Sequence, residues 1–310
     1  MNLEIIPYRE LDAKDDIFIL WLKSFGFYGT PNWLERFGKL EPTLGEGPIG
    51  VCGLLDGKLV GFVGVMLIPT RTKTGERELV GGIYGIATRP AYGRQGIGRQ
   101  LLEYAENWLR EQGMRVVFLT TSRAIVAYRW YREVGYENVA VVDNYKYYYK
   151  LLSGAGRRPT RATPSKYRLD DDVVRDLFEW YARDRCGFVL RPPTHLKARE
   201  FHKIFDRKLS LSLPDGYALL TEGLAGLRYC ELLAKTKKTY RELIRLAEAR
   251  TSEAAVAIHP FDPKAEAVLL ERGYACDPVQ FEPLMVKSLD GTRFENLYDD
   301  SFMIAKIDWF

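Results

Sequence analysis

Residues 81–102 read GGIYGIATRPAYGRQGIGRQLL, with Gly93, Gly96 and Gly98 placed just before a helix start. Glycines at such a point leave backbone N–H groups free to approach a ligand. Together with the positive end of the helix dipole they form a cradle for phosphate. Arg89, Arg94 and Arg99 add positive charge beside it. The chemistry in view is the binding of a phosphorylated ligand. Spacing alone leaves a second reading open, a strand-to-helix turn that needs glycine only for its positive φ, so the neighbouring elements must decide.

Other chemistry is poorly represented. Cys52, Cys186, Cys230 and Cys276 are scattered with no Cys-x-x-Cys pair, which argues against a disulfide framework or a zinc site and fits a reducing cytoplasm. His195 and His202 are seven apart, a spacing that shares a helix face, but no third ligand stands near, so no metal is expected. Forty-five Lys and Arg against 41 Asp and Glu give a net charge of +4, too small over 310 residues to indicate nucleic-acid binding and mildly favourable to anionic ligands. The charged N-terminal stretch MNLEIIPYRELDAKDD is no signal peptide, and no run approaches the ~18 apolar residues of a membrane span. A cytoplasmic protein without membrane or nucleic-acid partners is expected. The oligomeric state is not legible.

The elements around the loop read as an α/β fold. At 310 residues two domains are expected, and 46% apolar with 28% charged residues suits globular cores. Residues 3–7 alternate as a strand, 11–23 and 31–37 have helical spacing, and Asp56-Gly57 marks a two-residue hairpin inside a strand meander that ends at ELVGGIYGIA. Then the period changes. Ile97, Leu101, Ala105, Trp108 and Leu109 form an apolar stripe opposite Arg99, Glu103, Glu106 and Arg110, so 97–112 is a helix stopped by Gly113. VVFLTT follows as a buried strand, Ala124, Ala127, Tyr128 and Tyr131 share a helix face, and 137–152 reads as strand.

Residues 153–166 (SGAGRRPTRATPSK) read as a linker, and from Tyr167 the same order of elements recurs. Glu133-Val134-Gly135-Tyr136 answers Glu271-Arg272-Gly273-Tyr274, and KLLSG from 150 answers KSLDG from 287, at offsets of 138 and 137. The second copy lacks roughly twenty residues between its hairpin and its last helix, and ELLAKTKKTYRELI stands where the glycine loop would be. The expected division is a domain at 1–152, the linker, a degenerate copy at 167–290 and a tail at 291–310.

ATRPAYGRQGIGRQLL after a strand resembles the acyl-CoA loop of the GNAT superfamily of N-acetyltransferases, and AYRWYREVGY resembles the superfamily's helix ending in an aromatic pair before Gly. The resemblance covers about residues 1–150. In the pattern R/Q-x-x-G-x-G/A the first position is Gly93, with Arg94 following. The paired glycines before the strand, the Ala-Thr-x-Pro run and the degenerate second copy resemble the Eis-type tandem enzymes (enhanced intracellular survival family), although these 310 residues end before their sterol-carrier-like third domain. The resemblance implies two tandem GNAT-like domains, each a mixed, mostly antiparallel central sheet flanked by helices. It further implies acetyl-CoA as co-substrate, held by Ile86, Ala87 and Thr88 on a bulged strand and by Gly93, Arg94, Gln95, Gly96, Ile97, Gly98 and Arg99 in the loop. Pro90 fits a strand that cannot continue.

Transfer to an amine needs two proton handlers, because an alkylammonium with a pKa of ~10.4 is no nucleophile and the departing thiolate must be protonated. By the resemblance Tyr131 is the acid. The competing reading is a core tyrosine on the stripe with Ala127 and Tyr128. The superfamily's Asn seven residues earlier is Ala124 here. GGIYGIA carries no Glu to serve as base. Eis-type enzymes use the carboxylate of a C-terminal aromatic residue, which points to Phe310 after Asp308-Trp309; Glu35 and a water chain are alternatives, and an aromatic cap on the core is the structural one. Phe25, Phe27, Tyr28, Trp33 and Phe37 suggest an aromatic-lined entrance for the amine, as against plain core. The expected function is acetyl-CoA-dependent N-acetyl transfer to a small molecule, peptide lysine or protein N-terminus. An aminoacyl-tRNA-dependent transferase of the Fem-like kind and a non-catalytic CoA-binding protein are the alternatives.

Overall fold

The computed structural model describes residues 2–26, 33–45, 47–152, 167–223, 226–251, 254–258, 262–278 and 281–310. The first part of the chain forms β1 (Glu4–Pro7), α1 (Asp16–Phe25), α2 (Trp33–Leu40), α3 (Pro42–Gly45), β2 (Gly50–Leu55), β3 (Lys58–Arg71), β4 (Arg77–Thr88), α4 (Ile97–Glu111), β5 (Val116–Thr120) and α5 (Val126–Glu133). β6 (Glu137–Asn138), α6 (Ala140–Asp143) and β7 (Tyr147–Leu151) complete it. The second part forms α7 (Asp171–Ala182), β8 (Cys186–Gly187), α8 (His195–Phe201), β9 (Leu211–Leu213), β10 (Gly216–Gly223), β11 (Gly226–Ala234), α9 (Lys237–Glu248), β12 (Ala254–Ile258) and α10 (Pro263–Glu271). β13 (Ala275–Asp277), β14 (Leu284–Ser288), α11 (Phe294–Leu297) and β15 (Phe302–Met303) end it.

These make the expected α/β architecture, two mixed and mostly antiparallel sheets flanked by helices. The first sheet runs β1-β2-β3-β4-β5-β14-β6 with β8 and β15 beside it, and the second runs β13-β7-β12-β11-β10-β9. The Asp56-Gly57 hairpin joins β2 to β3, with both residues at positive φ as a two-residue turn requires. Strand alternation divides β3 and β5 between two cores: Phe62 and Met66 share one with α1 and α2, where Phe118 packs on Phe188, Phe294 and Phe302, while Val63, Val65 and Val117 meet Ile97, Leu101, Ala105 and Leu109 of α4. Glu106, expected on the polar face of α4, is instead buried, accepting from Tyr136 Oη at 2.9 Å and Lys287 Nζ at 2.6 Å.

Two expectations are corrected. Residues 137–152 are not one strand, because Val139, Val142 and Tyr145 recur at the three-residue spacing of a helical turn and all enter the core, which forms α6 between β6 and β7. The two copies also exchange strands. β7 pairs with β12 and β13 of the second sheet, whereas β14 pairs with β5 and β6 of the first. These strands are related by the repeat offset of 137, so equivalent pieces have traded places. The boundaries 1–152 and 167–290 therefore follow the repeat but not the sheets, since Tyr148 fills the second core and Met285 the first. The linker expected at 153–166 lies outside the described residues. Among the described residues no helix is long and apolar enough to cross a membrane.

Candidate active site

The loop after β4 begins with a 3₁₀ turn at Pro90–Tyr92. Arg94 and Gly96 both take left-handed φ, 61° and 79°, and Gly96 caps the start of α4. A Cβ on Gly96 would meet nothing nearer than the Gln100 side chain at 3.9 Å, so the backbone angle rather than crowding calls for glycine. Among the described residues the amides of 94–99 donate to no backbone carbonyl. Arg94, Gln95 and Arg99 are exposed around them and Ile97 anchors the loop in the core. Arg89 plays a different part from the one expected: it donates to the Leu59 carbonyl and lies 3.9 Å from Asp16, holding the scaffold together.

Upstream, β4 carries an extra residue against β3, since Tyr84 faces Gly64 and Ala87 faces Phe62. Gly85 within this bulge has φ 58°, and its carbonyl accepts from Trp21 Nε1 at 3.1 Å. The bulge restores the alternation so that Ile86 packs toward the α4 core and Ala87 toward the α1 core. Thr88 Oγ1 sits 3.4 Å from where a Cβ on Gly98 would be, so the strand end and the loop are adjacent. β4 pairs in parallel with β5 only from Gly81–Val117 to Ile83–Leu119. Past Ile83 no described strand pairs with β4 on that side, and the two strands open as a fork. Ile86, Ala87, Thr88 and the loop from Gly93 to Arg99 thus form one continuous wall.

The last residue reaches this fork. Thr120 Oγ1, at the end of β5, donates to an oxygen of Phe310, and the Phe310 ring passes close over Gly82, where a Cβ would lie 3.0 Å from it. Phe310 also packs on Phe188, with ring centroids 6.0 Å apart. Tyr131 lies on the other face of the sheet, 8% exposed, with its ring against Trp130 and Tyr136. Burial pushes its hydroxyl pKa up to about 12. Tyr131 and Phe310 thus belong to the cores on opposite faces of the first sheet. Glu35 accepts from Tyr8 Oη at 2.6 Å through one carboxylate oxygen, and its buried Oε2 has no hydrogen-bond partner among the described residues.

The tail is held by groups that sequence reasoning missed. Asp308 accepts from Arg191 Nη2 at 2.8 Å, His195 Nε2 lies 3.1 Å from its other oxygen, and Arg191 also donates to Glu231 at 2.9 Å. Burial would push the Asp308 carboxyl up, but Arg191 and His195 outweigh it and hold it below the usual carboxylate range. His195 is neutral: burial lowers its pKa to about 4 despite Asp308. Lys306 adds a 2.6 Å pair with Glu282 and covers the Trp309 ring at 3.8 Å.

Beside Phe310 opens a cavity of about 240 Å³. Trp21, Phe25, Trp33, Phe37 and Tyr84 line it from the first domain, Arg199, His202 and Ile204 from the second, and Trp309 and Phe310 from the tail. Phe25, Trp33 and Phe37 are where the aromatic entrance was expected; Phe27 and Tyr28 lie outside the described residues. In the second domain α9 starts three residues after β11 ends, leaving no room for a glycine loop, and Leu269, the counterpart of Tyr131, is fully buried core. Among the described residues no group of His, Cys, Asp and Glu is placed to hold a metal.

Residues 15–136 match the family model described as the acetyltransferase (GNAT) family. No sequence among the curated proteins matches the chain. Among solved structures, a GCN5-related N-acetyltransferase from Anabaena variabilis is similar at 13% identity and a TM-score of 0.66, covering 93% of this chain and 73% of that one. A conserved protein from Enterococcus faecalis described as a probable N-acyltransferase is similar at 16% identity and a TM-score of 0.64, over 93% and 73% of the two chains. Eis1 from Mycobacterium abscessus is similar at 18% identity and a TM-score of 0.61, over 93% and 74%. At these identities the likeness is one of fold.

Proposed function

We infer, taking as premise that this chain is an acyltransferase of the GNAT acetyltransferase family with a tandem fold, that it transfers an acetyl group from acetyl-CoA directly to a primary amine. The observation that carries the reading is the Thr120 hydroxyl donating to Phe310 at the mouth of the β4–β5 fork, between the loop wall and the aromatic cavity. The residues present fit the co-substrate. Amides 94–99 without backbone acceptors suit a pyrophosphate at a helix N-terminus, and the open edge of β4 past Ile83 suits an extended amide-bearing arm.

Acetyl-CoA supplies the activated acyl group as its thioester, and the chain's own residues handle the protons. The acceptor enters as an alkylammonium and must lose a proton before it can attack. In this 310-residue chain the Phe310 carboxylate, oriented by Thr120 at the fork, takes that proton. Tyr131 keeps its own proton at neutral pH, because burial disfavours the phenolate, and donates it to the departing sulfur. The amine enters through the cavity on the face opposite Tyr131, so base and acid act from the two sides of the reacting carbonyl.

Calorimetric titration with acetyl-CoA is expected to give one site per chain, on the first domain; two sites or none overturn the assignment. Appending a few residues after Phe310 keeps its ring but removes the terminal charge at that point. Native turnover in the extended protein, with acetyl-CoA still bound, would eliminate Phe310 as base. Heat on titration with aminoacyl-tRNA, and none with acetyl-CoA, would replace the reading with aminoacyl transfer.

A further inference from the structure

Acetyl transfer from a thioester to an alkylammonium leaves one proton over. Of the protons on the ammonium nitrogen, the amide keeps one, one makes good the proton that Tyr131 gives to sulfur, and one goes to the Phe310 carboxylate. That last proton must reach solvent before the base can act again, and on the cavity side the acetylated product stands in the way. On its other side Phe310 lines a narrower space of about 30 Å³ between the two domains. Met66 and Arg199 border both this neck and the cavity. At its far end Arg191, Pro192 and His195 border both the neck and a groove along α7, which the exposed Arg175 and Lys197 also line. Shared walls thus lead from Phe310 to the surface.

The walls of the neck carry polar atoms that no neighbour satisfies. Among the described residues nine buried side-chain nitrogens and oxygens have no hydrogen-bond partner, and five of them, Glu41 Oε2, Thr43 Oγ1, Arg191 Nε, His195 Nε2 and Arg199 Nε, belong to residues that line this one space. Glu41 Oε2 lies 3.1 Å from Arg199 Nη2, and His195 Nε2 lies 3.1 Å from Asp308 Oδ1, both without the alignment of a hydrogen bond. A buried polar group left unsatisfied loses its hydration with no return, so five around one small space are explained by water that they share. The volume agrees, since a water needs ~10–15 Å³ and polar partners on more than one side. No ion is called for, because Arg191 and Arg199 face Glu41, Asp308 and, through Arg191, Glu231.

We propose that water held in this neck carries the proton from Phe310 to the α7 groove, and that His195 passes it out at the far end. The inference rests on the reading of Phe310 as base. The carboxylic acid gives its proton to neck water, and water hands one on to His195. A neutral imidazole takes a proton on one ring nitrogen while the other releases one to the groove. Only O–H and N–H bonds are made and broken, and Phe310 is a carboxylate again. Glu41 and Thr43 position the water.

The test pairs crystallography with kinetics. A crystal structure of the chain without ligands, at a resolution that shows water, is expected to place an ordered water within hydrogen-bond distance of His195 and of Glu41 or Thr43; a dry neck overturns the proposal. With acetyl-CoA, thiol release is followed for 2-phenylethylamine, lysine and an alanine-terminated peptide, and the best acceptor is carried forward. In His195→Gln kcat should fall by at least about tenfold with KM for acetyl-CoA unchanged, and added imidazole, acting from the groove, should restore it. A merely structural loss would not respond to imidazole. Thr43→Val keeps the volume and leaves the ion pairs of the neck intact, and it should lower kcat while enlarging the solvent deuterium effect. Native kcat in His195→Gln overturns the relay, as does a loss that imidazole leaves unchanged. Should His195→Gln fail to fold, Thr43→Val decides, and native kcat there overturns the relay. If the C-terminally extended protein is slowed and these variants are not, Phe310 stands as base and the relay alone falls. If the extended protein turns over at the native rate, the base falls and the relay with it.

Discussion

Asp308 lies 2.8 Å from Arg191, and the contact pins the chain two residues before the Phe310 oxygen that Thr120 holds. Arg191 is itself fixed by Glu231 of β11, with its guanidinium 3.4 Å from the Phe178 ring centroid. The second domain, where α9 follows β11 too closely for a glycine loop, thus holds the tail over the first domain's fork.

Asp308→Asn tests that anchor. It leaves a buried guanidinium with one carboxylate in place of two, and loss of one partner from a buried ion pair costs about 3–5 kcal/mol. With Glu231 still present the lower figure is expected in urea unfolding. Turnover should fall through misplacement of Phe310, while the calorimetric affinity for acetyl-CoA stays at the wild-type value. A matching loss of acetyl-CoA affinity would show that the whole fold, and not the tail alone, had been disturbed.

For Tyr131→Phe the ring and its packing on Trp130 and Tyr136 remain, so stability should change little. If the hydroxyl is the acid, kcat drops by about 100- to 10,000-fold. Wild-type turnover would leave Tyr131 as a core residue only.

Gly96→Val places a β-branched residue at φ 79° in otherwise open space. The left-handed backbone costs about 1–2 kcal/mol for a residue with a Cβ, and the valine methyls stand over the amides of the loop. Acetyl-CoA affinity should fall by more than tenfold in calorimetry, well beyond what the loss of stability explains. Arg94→Ala, by contrast, removes an exposed charge and should weaken binding only mildly.

His195 makes stability depend on pH in a defined window. It is buried, and burial lowers its pKa to about 4 from an ordinary 6.5. Between those values the unfolded chain binds more protons than the folded one. Stability is therefore complete above pH 6.5 and falls as the pH drops toward 4, by up to about 1.4 kcal/mol per pH unit. Thermal melting from pH 7.5 to 4.5 should show the decline, and His195→Gln should flatten it. A melting temperature that is flat over this range would contradict the neutral assignment.

Much of this protein is written in local sequence. The glycine loop before α4, the apolar stripe of that helix, the Asp56-Gly57 turn and the repeat of Glu133–Tyr136 at 271–274 each act within a few residues, through backbone angle or helical period, and each was legible. The family resemblance directed attention to Tyr131 and Phe310 for the same reason, since motif and chain end can be seen without a fold. What tertiary structure decided are contacts between residues far apart in the chain. Thr120 and Phe310 meet across 190 positions and Arg191 and Asp308 across 117, and no local preference records either pairing. The exchange of β7 and β14 is of the same kind: the two strands carry similar patterns, and only the cores that receive Tyr148 and Met285 determine which sheet each one joins. The pairing of Arg199, on α8 of the second domain, with Glu41 of the first at 3.1 Å is likewise one that no local pattern records.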